Sequence, residues 1–381
     1  MRLSRKIGLC LLLAMPSLSA SGIFNIRIGG LIDFTDMCVF VSLLFFAYSA
    51  GAEKPKLSRY TFFVVFFLVL SFVYSISRDY QFRYILPDIR NTIYMVLAFN
   101  IFRSKQTDLS FIIDKLPIFG LINSIIILLN TGFFAGDFSR DIFSSLWYPI
   151  LGIACVLFEK EKRNTLIKYI SLVFGMIAVL ISQTRSLIIP LIAMLMIYAV
   201  IAIKERNPLK TLIVVALVGI CIFVLTNQGY MNMLLQRLEG TLDEESTMWL
   251  RFDNAKAHIR KMTFREKLIG EGFGKRFFVV EYDGDLRETL DLEMFFFNQL
   301  SEWGIIALCA NYFYYIRTMI KNKITRKPLS ILVGSVVVLI GGFVSGLVGS
   351  AASIVLGMVF GMLSNPATRD SLSRKRKSSI A

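Results

Sequence analysis

The chain has a single histidine, His258, and only five cysteines. Cys10, Cys38, Cys155, Cys221 and Cys309 all lie inside apolar runs. Cysteines so placed act as small core residues, so neither a disulfide framework nor a metal site is expected from them. Charge is scarce as well. Charged residues make up 18% of the 381 positions against 55% hydrophobic, with 33 Phe and a mean hydropathy of +0.62. A soluble domain of this length cannot cover that much apolar surface. Long polar stretches are missing except for residues 228–291, and the only low-complexity stretch is the basic tail SRKRKSS. There is no internal repeat, and the one long loop lies late in the chain, which argues against a transporter built of two related halves.

What is present is a series of apolar runs, each about the length a helix needs to cross roughly 30 Å of hydrocarbon. They lie at 7–24, 34–50, 61–76, 86–102, 109–130, 142–158, 166–181, 186–203, 209–227, 292–316, 329–345 and 350–363. The expected fold is therefore all-α, a polytopic membrane bundle of about twelve transmembrane helices with one large outer loop. Residues 1–227 hold the first nine spans, 228–291 the loop, 292–363 the last three spans and 364–381 a basic tail. The opening MRLSRK with its apolar run also fits a cleavable signal peptide. Retention is expected, because Phe24–Ile28 continues apolar. Residues 329–363 are read as two short spans joined at Gly346–Ser350, since a single helix would put the basic tail outside. Gly342/Gly346 and Gly357/Gly361 have the spacing that lets helices approach closely.

Loop charge sets the sidedness. With the N-terminus inside, the short inside segments carry 25 Lys and Arg and the short outside segments carry five: Arg27, Arg78, Arg83, Arg140 and Arg185. That asymmetry puts both termini in the cytoplasm and residues 228–291 outside it. It also accounts for the net charge of +15 without any nucleic-acid partner.

A few charges carry chemical information. Arg185, in the short outer turn SQTRS, presents a planar fork at the membrane boundary that suits phosphate oxygens. Asp88 and Arg90, in PDIRN near the outer end of span four, form an internal pair or line a site. In the loop, 251–267 is expected to be helical with Arg251, Ala255 and His258 on one face. The run GEGFG follows, with Gly270, Gly272 and Gly274 able to expose backbone N–H groups to an oxyanion, and Lys275 and Arg276 directly after. It is a weak nucleotide signature, because it does not follow a strand in a βαβ unit. Asp283, Asp285, Glu288 and Asp291 form an acidic approach to span ten that matches no EF-hand spacing. Glu293 stands where the chain enters the membrane. Burial there would raise its pKa toward the range of a general base. Asn298 and Glu302 lie four residues apart on the same helix and are read as hydrogen-bond partners.

Three of these elements, in this order, carry a resemblance: the S-x-T-R-S turn at Ser182–Ser186, Arg251 followed by LIGEGFG, and the aromatic helix from Glu293 to Glu302–Trp303–Gly304–Ile305. Over nearly its full length the chain resembles the superfamily of O-antigen polymerases and O-antigen ligases, membrane glycosyltransferases of the C type. The resemblance implies work at the periplasmic face of the bacterial inner membrane on undecaprenyl-pyrophosphate-linked oligosaccharides, with no metal or other cofactor. It implies that Arg185 and Arg251 bind the donor pyrophosphate, that Arg90, the glycine run, Lys275, Arg276 and Asn298 contact substrate, and that a chain-length regulator protein is a further partner. The ligase branch carries a histidine at the start of this helix. The present chain has LEMFFFN there, with Glu293 nearest, which points to the polymerase. Ligase and lipid-linked-sugar transporter are the alternatives.

Overall fold

The structure is a computed structural model. It describes residues 3–20, 27–28, 32–50, 58–133, 147–159, 165–182, 185–205, 247–280, 285–289, 292, 295–321, 328–344 and 350–367, with single positions between 212 and 226. The described residues are mostly helical. They form α1 (Leu3–Ala20), α2 (Phe34–Ala50), α3 (Arg59–Ser77), α4 (Phe82–Arg103), α5 (Leu109–Asn130), α6 (Trp147–Phe158), α7 (Thr165–Ile181), α8 (Arg185–Lys204), α9 (Thr247–Lys261), α10 (Phe264–Ile269), α11 (Phe295–Lys321), α12 (Leu329–Val344) and α13 (Ser350–Ser364). Two antiparallel ribbons interrupt this pattern: β1 (Arg27–Ile28) with β2 (Ile32–Asp33), and β3 (Phe277–Val280) with β4 (Leu286–Thr289).

Among the described residues three helical segments are long and apolar enough to cross a membrane: Arg59–Ser77, Leu109–Asn130 and Leu187–Lys204. Several others are apolar but shorter, among them Trp147–Phe158 and Ala352–Ser364. α4 departs from the pattern because Arg83, Pro87, Asp88 and Arg90 interrupt its N-terminal half. Leu109–Asn130 has the bounds of the fifth apolar run. Its start is fixed by Asp108, whose carboxylate accepts from Ser110 N–H, an N-cap of the ordinary kind.

The helices pack around one continuous apolar core. α5 lies against α6 and α7, α12 against α6 and α8, and α13 along α4. The last contact is close because α13 presents glycine. A Cβ on Gly357 would stand 2.1 Å from the Met95 carbonyl oxygen, and one on Gly361 2.6 Å from that of Phe99. The small-residue spacing at 357 and 361 thus sits at a helix crossing. Just beyond α13, the buried Asn365 amide donates to the carbonyls of Phe102 and Ser104 at 2.9 Å each. It satisfies acceptors that the end of α4 leaves open.

Candidate functional site

The polar segment is a folded unit at its described positions, 247–280 and 285–289. Its expected helix over 251–267 is broken in two. Thr263 Oγ1 accepts from Glu266 N–H, and the Glu266 carboxylate accepts from Thr263 N–H at 2.8 Å. This capping box starts α10 afresh. Arg78 of the α3–α4 turn pairs with Glu266 at 2.8 Å. Burial raises the Glu266 pKa, but the Thr263 hydrogen bonds and the charges of Arg78 and Lys275 outweigh it. The carboxyl titrates below its ordinary range.

The glycine run has a different part from an open phosphate cradle. Gly270 N–H donates to Glu266 O, Glu271 N–H to Ser301 O (2.6 Å), Phe273 N–H to Ser75 Oγ (2.6 Å) and Gly274 N–H to Asp88 Oδ2 (2.9 Å). The run is thereby strapped to α11, α3 and α4. Gly270, Gly272 and Gly274 all have positive φ, which glycine adopts at no steric penalty. The space is also closed to side chains. A Cβ on Gly270 would lie 2.3 Å from the Glu302 carbonyl oxygen.

Opposite, α11 is kinked at Gly304, where φ is 76° and ψ 171°. A Cβ there would lie 2.3 Å from Leu268 O. Near the kink the Ser301 carbonyl accepts from Glu271 N–H, and that of Glu302 from Ser71 Oγ at 3.1 Å. The glycine run and the E-W-G-I motif are therefore two halves of one joint.

Glu271 points inward from that joint. Its side chain is 3% exposed, a placement a carboxylate tolerates only with partners. His258 Nε2 lies 2.6 Å from Oε2, Ser301 Oγ donates to Oε2 at 2.9 Å, and the Lys275 ammonium pairs with Oε1. Burial, then the charges of Lys275 and Lys261, hold the His258 pKa down to about 4. The Glu266 charge pulls the other way and is outweighed. His258 is thus neutral at pH 7, with Nε2–H donated to Glu271. Burial also lowers the Lys275 pKa. In the sequence His258 is legible only as sharing a face with Arg251 and Ala255, and Glu271 and Ser301 carry no signal of their own. Nothing in the run of residues linked positions 258, 271 and 301.

The other sequence-predicted residues are distributed as follows. Arg251 lies on α9 one turn before the fully buried Ala255, which shares an apolar cluster with Phe277, Val279 and Leu292. Phe252 meets the Phe297 ring at 5.5 Å. This packing sets the Arg251 end of α9 beside the point where the chain approaches α11. Arg276 pairs with Glu288 across the hairpin, hydrogen-bonds Tyr84 Oη and stacks over the Tyr84 ring at 4.3 Å. Arg90 pairs with Asp36 of α2 at 3.0 Å, while Asp88 accepts from Gly274, so the two face different partners. Asn298 does not turn toward Glu302 with its carbonyl; it accepts from Leu292 N–H at 2.7 Å. Arg185 is the first residue of α8, and its side chain lies outside the described residues, as do Glu293, Asp283, Asp291 and most of 206–246. Among the described residues no three His, Cys, Asp or Glu side chains converge to hold a metal ion.

No protein-family model, no characterised protein and no solved structure matches this chain.

Proposed function

We propose that this chain is a polymerase of surface polysaccharide, of O-antigen or capsule type, in the bacterial inner membrane. Its termini are cytoplasmic and residues 228–291 periplasmic, the orientation that the loop charges favour. The helices shorter than a full span are read with the long ones as a bundle of about twelve. The substrate is a growing glycan on undecaprenyl pyrophosphate, and the acceptor is the non-reducing sugar of the next lipid-linked repeat unit.

In this reading an acceptor hydroxyl oxygen attacks the anomeric carbon of the donor. The bond from that carbon to the pyrophosphate oxygen breaks, and the leaving group departs with the electron pair. The centre passes through an oxocarbenium-like state. Arg185 and Arg251 stabilise the departing charge with paired N–H donors. Glu293 takes the hydroxyl proton. An activated pyrophosphate needs no nucleotide. The basic side chains of the loop, Arg251, Lys256, Arg260, Lys261, Arg265 and Lys267 among them, draw the anionic donor.

The observation that supports this reading best is the packing of α9. Ala255 and Phe252 seat the Arg251 face against Leu292 and Phe297. The helix that carries Arg251 is thus in contact with Leu292 and Phe297, the residues on either side of the acidic position 293.

The test is a deletion strain compared with wild type on a polysaccharide gel. Loss of the ladder with one repeat unit still attached to the lipid core is the expected result. Long carrier-linked chains with nothing attached to the core would mark a ligase instead. Accumulation of unflipped single units would mark a transporter.

A further inference from the structure

The β3–β4 hairpin carries an apolar face that the fold leaves uncovered. Phe278 and Leu286 are each 71% exposed, and Val280 is 39% exposed. Val280 stands opposite Leu286, and Phe278 opposite Glu288. Alternation along the strands puts these four, with Arg276, on the same side. The other side buries Phe277 and Val279 under α9. In water a cluster of this kind signals a contact surface.

The depth of the hairpin follows from its anchors. α3 has 19 residues, about 28 Å of helix, close to the roughly 30 Å of a hydrocarbon core. Ser71 lies six residues before its end, about 9 Å down at 1.5 Å per residue. The glycine run nevertheless touches Ser71 and Ser75 directly, since a Cβ on Gly272 would meet Ser75 Oγ at 2.5 Å and Ser71 O at 3.0 Å. Irregular backbone at membrane depth is tolerated only when its polar groups are satisfied by protein. The run meets that condition at Gly270, Glu271, Phe273 and Gly274. β3 leaves this level at once. Arg276 is fixed on Tyr84, in the first turn of α4, where Phe82 is 57% exposed. Arg83 stacks on the same ring at 4.6 Å, and Arg78 and Arg265 flank Tyr74 at 5.2 and 5.6 Å. Tyrosines with guanidinium groups beside them suit the headgroup zone, where rings and charged tips span the polar boundary.

We propose that the hairpin lies in the membrane interface at this end of α3, with Phe278, Val280 and Leu286 in the leaflet's phospholipid and Arg83 at its phosphates. The occupant is bulk phospholipid. The lipid-facing stripe of α3 (Val65, Val69, Val73, Ile76), all well exposed, runs up to the same level. Arg83 and Arg265 on this rim supply the charge that complements phosphate, while Arg78 and Arg276 are paired with Glu266 and Glu288. The inference rests on α3 being a membrane span, and not on polymerase activity.

Benzoylphenylalanine introduced in place of Phe278, and separately of Leu286, tests it in the full chain within native membranes. Ala257 serves as control, because it lies opposite Ala255 on α9. After irradiation, adducts are identified by mass spectrometry. Phospholipid adducts at 278 and 286 with none at 257 are expected. Adducts only to a polyprenyl lipid, adducts only to a protein, or equal phospholipid labelling at all three positions would each overturn the proposal, as would no adduct at 278 and 286. None of these results depends on whether the chain makes polysaccharide, so a failed gel test and a failed cross-link are told apart.

Discussion

Glu271 shows how much one carboxylate can hold together. Its three donors come from α9, α11 and the residue four further along the chain. Removing one partner of a buried pair leaves the others uncompensated, at a penalty of about 3–5 kcal/mol. Glu271→Ala is therefore expected to release the joint between the glycine run and α11, read as faster hydrogen exchange over 247–280 with the spans unchanged. Unchanged exchange would show that the backbone bonds alone hold the strap. His258 adds a pH dependence with a definite sign. Its folded pKa, about 4, lies below the usual 6.5, so the unfolded state binds the extra proton first. The contribution is complete above pH 6.5 and is lost as pH falls toward 4. Protection of the loop, corrected for the intrinsic pH dependence of amide exchange, should fall over that window in the wild type, and the fall should be smaller in His258→Gln. Arg185→Ala and Arg251→Ala should each abolish ladder formation. The lysine variants should keep little activity, because a point charge replaces a fork. Full activity of both alanine variants, inserted normally, would sink the proposed pyrophosphate site.

Among the elements, α10 and the kinked α11 illustrate what was readable in advance and what was not. The T-x-x-E spacing at Thr263–Glu266 is a recognisable helix start, and F-F-V-V followed by D-G-D and L-R-E-T has hairpin character. Both signals stand in the sequence, but the helical periodicity over 251–267 and the acidic run over 283–291 mask them. Three of the apolar runs were legible as candidate spans because crossing a membrane demands a length and a composition together. By contrast, the pairing of Gly270 with Gly304 joins positions far apart in the chain, and no local pattern encodes it. Gly304→Ala and Gly270→Ala should each undo the joint, since the new methyl meets backbone at 2.3 Å. Gly334→Ala meets only a Leu151 methyl at 2.8 Å and should be mild. Ladder formation together with thermal stability in detergent separates these outcomes. Equal tolerance of all three changes would remove the steric reading. Thr263→Ala, which loses only a cap, should lower the local stability of α10 by about 1 kcal/mol.

For the whole molecule, the candidate site lies at the end of a bundle that α4 and α13 help to close. α4 supplies Tyr84 and Asp88 to the loop at one end, and its other end is finished by Asn365. Gly357→Leu should therefore damage the site without touching it, because α13 can no longer lie against Met95. Reduced accumulation of folded protein, measured by size-exclusion chromatography, checks this. The same crossing has a consequence in time. α4 ends at Arg103 and α13 begins at Ser350, and a ribosome adding roughly 5–20 residues per second needs on the order of 10–50 s to travel between them. For that interval the groove along Met95 and Phe99 has no occupant of its own, and the carbonyls of Phe102 and Ser104 wait for an amide that has not been made. Closure of this crossing therefore waits for α13, and a nascent chain stalled before residue 350 would leave α4 open along that face, exposed to quality control.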